Sequence, residues 1–430
     1  MPSRLRRSNS PLTSRRKSRN GEKSSRRRAY RSSDHASTPG APCARGCTGA
    51  HGGAAMKITK VEVFPIGMPY AKPYEQATGV TEMARRVVIK LYTDEGIVGV
   101  GEASTLLPNR TGESAQVIAV VISTLFAPLL IDENPLDIQH VMQKLRKASM
   151  DKYGFLYSKT AVDMALHDIA GKAYNVPVAA LLGGIVRTSI GVSRSVPLAA
   201  PGEVAIAAEK LVKDGYKMIT IKAGLDPAMD LERVKAVRAA VGDGFPIEVD
   251  ANQGYRADVA VRWISKMEEY DIENIEQPCP WWDIAGMAEV SRALRCTVTA
   301  DESVLCAAEA MNFVRYQAAD AFTIKVAKCG GFLQSKRIAA VADAAGLSCN
   351  MGSEHPAGVG TAAMAHFWAS TPEIIDSIGY GSPLERFADD IVKEPIEFKN
   401  GVVHFPSGVG LGVEVDDKKL AKHAIKITVG

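Results

Sequence analysis

Residues 56–185 open with short segments in which β-branched and polar residues alternate, and they continue with segments of helical spacing. The alternation covers 57–63 and 86–92, and a further apolar run, 97–100, follows the turn Asp94-Glu95-Gly96. This part of the pattern predicts a small antiparallel sheet. Strands followed by helices predict an α+β domain, whose helical segments are expected at 112–130, 135–148 and 158–174.

From residue 186 to residue 378 the rhythm changes to short apolar strands that alternate with helical segments. Eight strands within fewer than 200 residues predict a closed (β/α) TIM-type barrel in an α/β protein, with the first domain as an N-terminal α+β capping domain. Residues 379–430 lack this rhythm and are expected to pack back on the capping domain. The predicted barrel strands are 190–196, 217–222, 246–250, 273–276, 297–300, 321–325, 347–351 and 374–378, and the predicted helices are 202–213, 229–241, 256–270, 284–294, 307–316, 332–345 and 357–369.

Ionisable residues stand at the carboxyl ends of five successive predicted strands. In chain order they are separated by 28, 26, 25 and 24 residues, and each interval is about one βα unit. Strand ends of a parallel barrel meet at one rim, where such barrels place their active sites. Burying ionisable groups is costly unless they are paired, so ordinary core strands do not end in this way. The five residues are Lys222, Asp250, Glu276, Asp301 and Lys325.

The signs of these charges indicate a metal site. Asp250, Glu276 and Asp301 would repel one another at close range and need a cation between them. Carboxylate oxygens suit Mg²⁺, with Mn²⁺ as the other candidate, and no Cys/His cluster favours zinc. Lys222 and Lys325 flank the acids, and a nearby cation together with burial favours the neutral, basic form of a lysine. We therefore expect removal of the proton next to a carboxylate that the metal holds.

The net charge of +4 averages two unlike segments. Residues 1–55 hold 13 Lys and Arg against two acidic residues, whereas 56–430 is mildly acidic. The Arg/Ser-rich tail is expected to be disordered. Three interpretations of it stay open: an arm for nucleic acid or an anionic surface, an organelle transit peptide, or an upstream extension of the reading frame with Met56 as the working start. Because only the tail is basic, we do not expect nucleic acid to be the partner of the whole protein.

Two further features of the sequence indicate the compartment in which the protein is expected. The seven cysteines are dispersed without a Cys-x-x-Cys pair, which indicates reduced thiols in a cytoplasmic protein rather than a disulfide framework. No apolar run approaches the roughly 20 residues that span a bilayer, so no membrane segment is expected.

Several motifs resemble the enolase superfamily, in its muconate lactonizing enzyme subgroup (mandelate racemase/muconate cycloisomerase-like). The resemblance covers about 56–415 and implies a capping domain over a barrel. It implies Asp250, Glu276 and Asp301 as Mg²⁺ ligands, with Lys222 and Lys325 as an acid/base pair on opposite faces of a small carboxylate substrate. The matching segments are 96–102, 161–168, 181–184, 249–252, 275–278, 300–303 and 324–331, with 408–412 expected as the closing strand.

Two departures from the subgroup's pattern bear on the reaction. Thr220 stands where a second lysine is usual, and Pro356 stands where a glutamate is usual, with Glu354 two residues earlier. Both count against ordinary muconate cycloisomerisation and fit better a racemase, an epimerase or a dehydratase, with a racemase or epimerase of a small carboxylate or amino-acid derivative as the expected activity. A lactonizing cycloisomerase and an acid dehydratase stay as alternatives. His355 lacks the aspartate partner of a catalytic dyad and is expected as a wall or capping residue of the pocket.

Substrate choice is expected to depend on capping-domain loops at about 68–80 and 103–112. Tyr70, Tyr74 and Glu75 either close over the substrate or are plain surface residues. For the pair Trp281-Trp282 a packing role is expected for at least one ring, with an apolar or cation-binding wall as the alternative. We also expect a homo-oligomer. The candidate substrate-binding residues are Thr220, Asn252, Ser353, Glu354, His355 and Tyr70.

Overall fold

The chain begins with a three-stranded antiparallel sheet in the computed structural model, which describes residues 56–76, 79–105, 112–149, 154–375, 377–379 and 381–427. Strand β2 lies in the middle and pairs with both neighbours. The first strand is much longer than the pattern over 57–63 predicts, and it forms an extended ribbon with β2. The strands are β1 Ile58–Gln76, β2 Gly79–Thr93 and β3 Val98–Ser104.

Helix α4, Leu156–Ala173, lies directly against β3 and is buried on nearly every side. Glycine allows this close approach, because a Cβ on Gly101 would overlap the backbone carbonyl of Ala161. The predicted helix at 112–130 is interrupted by a π-helical stretch, Val121–Phe126. The helices of this part are α1 Ala115–Val120, α2 Ala127–Leu130, α3 Ile138–Ala148, α4 and α5 Val178–Leu181.

Eight strands, β4 to β11, form the predicted parallel barrel. Seven of them follow one another side by side in chain order, and β11 pairs in parallel with β4. Backbone hydrogen bonds bridge the remaining gap, which lies between β10 and the segment that leads into β11. Cys349 of β10 donates to the carbonyl of Glu373 and accepts from the N–H of Ile375, both at 3.0 Å. The strands are β4 Ser189–Val196, β5 Met218–Lys222, β6 Ile247–Asp250, β7 Asn274–Glu276, β8 Thr297–Ala300, β9 Ala321–Ile324, β10 Ser348–Met351 and β11 Ser377–Gly379.

Each of the seven predicted barrel helices is present within a few residues of its expected bounds. Buried apolar residues of the strands and helices form one continuous core. The α/β class and the barrel with a capping domain are therefore confirmed. The helices are α6 Pro201–Lys213, α7 Pro227–Val241, α8 Ala257–Met267 with a 3-10 turn Glu268–Tyr270, α9 Ile284–Ala293, α10 Ala307–Tyr316, α11 Phe332–Ala345 and α12 Gly358–Ala369.

The C-terminal segment contacts both parts of the fold. Strand β13 pairs antiparallel with β4 of the barrel, whereas Ile425 donates a backbone hydrogen bond to Pro65 of β1. The expected closing strand at 408–412 is wrong: this segment is a bend that makes a single bridge, from Gly410 to Pro177. The elements here are α13 Pro383–Arg386, β12 Phe398–Lys399, β13 Val402–His404 and α14 Asp417–Lys422.

The described part of the chain contains no helix that is long and apolar enough to cross a membrane. Its five cysteines are all free thiols. The basic tail, including Cys43 and Cys47, lies outside the described residues.

Candidate active site

Strand register places the first three rim residues side by side. Lys222 pairs with Asp250 across β5 and β6, and Asp250 pairs with Glu276 across β6 and β7. Their apolar strand neighbours, such as Ile221 and Val249, alternate with them and are buried under the helices. Because side chains alternate between the two faces of a strand, this pattern turns the ionisable groups into the barrel.

Each outer carboxylate is paired with one of the two lysines. Lys222 donates to Oδ2 of Asp250, and Nζ of Lys325 lies 2.6 Å from Oδ2 of Asp301. The three acids thus form a row with a lysine ammonium group at each end, and Glu276 stands in the middle. The structure brings together all five residues that the strand ends predicted.

Burial and the neighbouring carboxylates disfavour the ionised form of Glu276, the middle acid of this row. Burial, and then the charges of Asp250 and Glu248, raise the pKa of Glu276 well above its ordinary value. Its Oε1 accepts a hydrogen bond from the hydroxyl of Thr323. Three buried carboxylates on adjacent strands are a donor set that suits a hard divalent cation. As the side chains stand, no three acidic, His or Cys residues in the described ranges already meet around one point, since lysines hold the outer acids.

The electrostatic balance at Lys325 differs from that expected of a lysine beside a metal. Burial alone lowers its pKa, but the surrounding carboxylates, Asp301 first and Glu354 next, outweigh burial and raise the pKa of Lys325 well above its ordinary value. The protein alone therefore holds this lysine charged. Its neutral form in the presence of a cation stays a prediction.

A second polar layer lies directly beneath the row. Glu248 accepts from Oγ1 of Thr220 at 3.0 Å and from Nδ2 of Asn274 at 2.7 Å. Burial, and then Asp250, raise the pKa of Glu248 to about 7. Thr220 thus faces the barrel interior but holds Glu248 below the rim. The alternation of Glu248 with Val249 already indicated an inward acid, which the sequence analysis did not single out.

Two side chains that the sequence analysis missed hold Asp301 in place. Nζ of Lys328 lies 2.7 Å from Oδ1 of Asp301 and 2.6 Å from its carbonyl oxygen. Oε1 of Gln277 accepts the backbone N–H of Asp301 at 2.8 Å. With Lys325 on Oδ2, both carboxylate oxygens of Asp301 are engaged, and the charges of the two lysines outweigh burial and lower its pKa. Asn252 similarly contacts Asp250, at 2.9 Å through its backbone N–H and 3.0 Å through its side chain.

A narrow pocket opens beside Lys325, between the barrel rim and the capping domain. Glu354 lines it, and its Oε1 lies 3.5 Å from Nζ of Lys325. Ser353, also at the wall, accepts from Nη1 of Arg386 at 3.4 Å. The other lining residues are Ser104, Met164, Val326, Ala327, Gly352, Pro356, Gly360 and Met364.

Tyr70 of β1 reaches the same end of the barrel. Its hydroxyl lies 3.1 Å from Nδ1 of His355, whose ring is buried. Burial, and then the charges of Arg386 and Arg86, hold the pKa of His355 well below its ordinary value, so the ring is neutral at neutral pH. Fully buried Arg86 also donates from Nε to the His355 carbonyl at 3.1 Å. This arrangement fits the expected wall or capping role of His355.

One expectation about the pocket is wrong, and another concerns residues outside the described ranges. Trp281 and Trp282 are 59% and 67% exposed, so the expected packing role of at least one ring is wrong. The exposed turn after Pro280 carries both rings away from the core. The side chains of Tyr74 and Glu75, and residues 106–111 of the second loop, lie outside the described residues.

Comparison with known proteins agrees with this architecture. Residues 203–419 match the family model described as enolase C-terminal domain-like, and residues 58–183 match the mandelate racemase/muconate lactonizing enzyme N-terminal domain. A chloromuconate cycloisomerase of Cupriavidus necator is 32% identical over 85% of this chain and 98% of its own length. An L-Ala-D/L-Glu epimerase of Bacillus subtilis is also 32% identical, over 83% of this chain and 97% of its own.

Solved structures give the same picture. An N-succinyl Arg/Lys racemase from Bacillus cereus superposes with a TM-score of 0.82 at 29% identity, covering 86% of this chain and 98% of its own. A muconate lactonizing enzyme from Pseudomonas fluorescens has a TM-score of 0.82 at 30% identity, covering 86% of this chain and all of its own. These relatives are cycloisomerases, epimerases and racemases, and the chain described here belongs with them to the mandelate racemase/muconate lactonizing enzyme family of the enolase superfamily.

Proposed function

We propose that this protein removes the proton α to the carboxylate of a small substrate and returns a proton to the opposite face. The reaction would racemise or epimerise a small carboxylate or an amino-acid derivative. One observation carries the proposal: two lysines stand at opposite ends of one row of three buried carboxylates, each against an outer acid. An epimerase and a racemase among the similar proteins support the same reaction class.

Asp250, Glu276 and Asp301 would hold the metal, Mg²⁺ or Mn²⁺. Their oxygen donors and the raised pKa of Glu276 fit a cation that relieves their mutual repulsion. When bound, such a cation supplies a positive charge that holds the substrate carboxylate and stabilises the charge left when the proton departs.

The two lysines would divide the proton work between the faces of the substrate. Lys222 arises from β5 and Lys325 follows β9, so a substrate over the row of acids lies between them. One lysine, in its neutral form, accepts the proton from one face, and the other, in its charged form, donates to the opposite face. Lys328 and Gln277 hold Asp301, and therefore Lys325, in position through the contacts described above.

A lactonizing cycloisomerase is the second candidate, because chloromuconate cycloisomerases are among the similar proteins. In that reaction a single lysine would do most of the proton transfer. Requirement for one lysine rather than two separates the candidates, as does the loss of ultraviolet absorbance of a diene acid.

The test is metal-dependent exchange of the α-proton in deuterated water, followed by NMR. The panel comprises dipeptides, N-acylated amino acids, proline derivatives and muconates, each with Mg²⁺ and with a chelator. We expect exchange of both enantiomers of one class, lost in Lys222→Ala and in Lys325→Ala. The exposed Lys418→Ala is the matched control and should leave exchange unchanged. Full exchange of both enantiomers by Lys325→Ala would sink the two-base scheme.

A further inference from the structure

A second cavity is lined by helix α3 of the capping domain and by the starts of α4 and α11. Its volume is about 230 Å³, against about 10 Å³ for the pocket beside Lys325, and the two share no lining residue among those that the structure describes. A water molecule occupies about 30 Å³ in the liquid, so the second cavity has room for a small ligand.

The lining of this cavity is positively charged. Arg146 of α3, Lys159 of α4 and Arg337 of α11 all line it, and none of its lining residues within the described ranges is acidic. Such a cluster contrasts with the rest of the protein, since residues 56–430 carry a net charge of −7. Three glutamine side chains add neutral donors to the same walls. The cavity is therefore suited to an anion.

The two arginines are not engaged within the protein. Both are exposed to solvent, and neither guanidinium group of Arg146 and Arg337 forms a hydrogen bond or an ion pair with a residue that the structure describes. Lys159 differs, because it is only 2% exposed and its Nζ donates to the carbonyl of Gly154. Burial weakens the hydration of its charge, so an anion in the cavity would stabilise it.

Charge and shape favour a phosphate group over a single carboxylate. Three positive charges from three helices line one small space. A phosphate monoester carries a charge of about −1.5 to −2 at pH 7 and has three strong acceptor oxygens. Guanidinium groups donate paired hydrogen bonds to phosphate oxygens, and a lysine adds a point charge. A single carboxylate would offer one charge and two oxygens to the same set of donors.

We propose that this cavity is a second binding site, in which Arg146, Lys159 and Arg337 hold a phosphate group. The group is either free phosphate or the monoester of a small molecule, since both present the same oxygens. This inference goes beyond the proposed function and does not depend on it. Gly330 also lines the cavity and belongs to the turn that follows Lys325. A bound phosphate would thus connect the capping domain to the segment that carries Lys325.

The test is calorimetric titration of the full-length, Mg²⁺-loaded protein. The ligands are inorganic phosphate, glycerol 3-phosphate and, as a carboxylate for comparison, succinate. We expect a Kd below about 1 mM for at least one of the two phosphate compounds. Tighter binding of glycerol 3-phosphate would identify an esterified ligand, and equal binding of the two would identify free phosphate.

Two variants assign the binding to the cavity. Arg146→Gln and Arg337→Gln each remove one charge, and each should weaken phosphate binding about tenfold or more, as expected for the loss of a hydrogen bond between charged groups. Exposed Arg292→Gln, in α9, is the matched control and should keep the wild-type Kd. The basic tail is present in all these proteins, so a difference between them reports on the cavity. Thermal unfolding without phosphate checks that each variant is folded.

Hydrogen exchange locates the bound group within the fold. Phosphate should slow exchange of the amides of 156–160 and 330–337 in the wild type, and should have no such effect in the variant that carries both arginine substitutions. Protection of these two segments in the wild type alone would support the site, because both contribute lining residues.

Three results would overturn the inference. Equal Kd values for phosphate in the wild type and in both arginine variants would place the bound phosphate elsewhere, on the tail or at the metal site. No phosphate-dependent heat up to about 10 mM would mean that the cavity does not bind phosphate. Succinate binding that is as tight as phosphate binding, and is lost in the same variants, would contradict the assignment to phosphate. None of these measurements requires α-proton exchange, so they are independent of whether the proposed function holds.

Discussion

At the scale of single residues, Lys328 shows how much of the site depends on one buried cation. Its ammonium group contacts the carboxylate and carbonyl of Asp301 and, at 3.0 Å, the carbonyl of Thr323. Lys328→Met leaves these acceptors buried and partly unpaired, so we expect a loss of about 3 kcal/mol in the free energy of unfolding. Urea denaturation at pH 7 measures it. Exposed Lys418→Met should change less than about 0.5 kcal/mol, and an equally small change for Lys328→Met would contradict the assigned contacts.

Asp390 gives a residue-scale prediction about pH. Its Oδ1 accepts the N–H groups of Gly358 and Ile391, while burial, and to a lesser degree Glu102, raise its pKa from 3.8 to about 6. The folded protein therefore holds this proton at a higher pH than the unfolded chain does. Stability due to Asp390 is full below pH 4 and is lost as the pH rises through 6.

Asp390→Asn removes this titration while keeping an acceptor oxygen. Between pH 4 and pH 7, the free energy of unfolding of the variant should rise by about 3 kcal/mol relative to that of the wild type. Buried His366 has a pKa lowered to about 4 by burial and titrates over the same range with the opposite sign, so only the difference between the two proteins is informative. Urea midpoints at several pH values give that difference. Parallel plots of urea midpoint against pH for the two proteins would mean that Asp390 does not titrate in this range.

At the scale of elements, the packing of β3 on α4 depends on a glycine. A Cβ on Gly101 would meet the carbonyl of Ala161 and would force strand and helix apart. We expect Gly101→Ala to lower the free energy of unfolding by about 1–3 kcal/mol. Gly202, in α6, has open space around it. Gly202→Ala is therefore the matched control and should be neutral or stabilising by about 0.5–1 kcal/mol, since alanine favours the helix. Similar losses for both variants would contradict the close approach.

The elements also explain which features the sequence could predict. In β5, Ile219 and Ile221 alternate with Thr220 and Lys222, so the face that enters the barrel follows from the pattern alone. The spacing of one βα unit then brings the rim residues together. Lys328 lies in a turn without periodicity, and its partners are set by tertiary packing.

Other features depended on contacts between distant parts of the chain. The extent of β1 beyond residue 63 follows from its pairing with β2, which no local pattern records. Arg86 stands directly before the apolar run 87–89, and its partner His355 is far away in sequence. The exposed Trp281 and Trp282 show that aromatic residues alone do not predict burial.

At the scale of the whole molecule, all the side chains that form the candidate site lie after residue 56. We therefore expect deletion of 1–55 to leave kcat/KM for proton exchange within about twofold, although it removes a charge of +11 and leaves a chain of net charge −7. Exchange assays on both proteins measure this. Binding to DNA at increasing salt separates the interpretations of the tail, since an arm for nucleic acid gives salt-sensitive binding that disappears with the deletion. A large loss of exchange would show that the tail takes part in the site.

Two buried residues of the first sheet, Glu102 and Arg86, connect the capping domain to the barrel through hydrogen bonds. Glu102 of β3 accepts the backbone N–H groups of Ala357 and Gly360 at 2.8 and 2.7 Å, at the start of α12. Arg86 of β2 holds the carbonyl of His355 just before them. Free N–H groups at a helix start favour a carboxylate, and the low polarity of the interior strengthens both contacts. The segment that carries Glu354 and His355 is thus positioned from the capping domain.

Glu102→Ala tests this coupling between the two parts. We expect it to expose the amides of residues 357–360 to hydrogen exchange, and to lower kcat/KM more than tenfold through misplacement of Glu354 and His355. Amides of the β7–β8 pair, which pair with each other in the barrel wall, should keep their protection. Exposed Glu95→Ala, in the turn between β2 and β3, is the control and should leave both measurements unchanged. Uniform loss of protection in the whole barrel would mean that Glu102 supports global stability, whereas a local change with reduced activity would mean that the capping domain sets the geometry of the pocket.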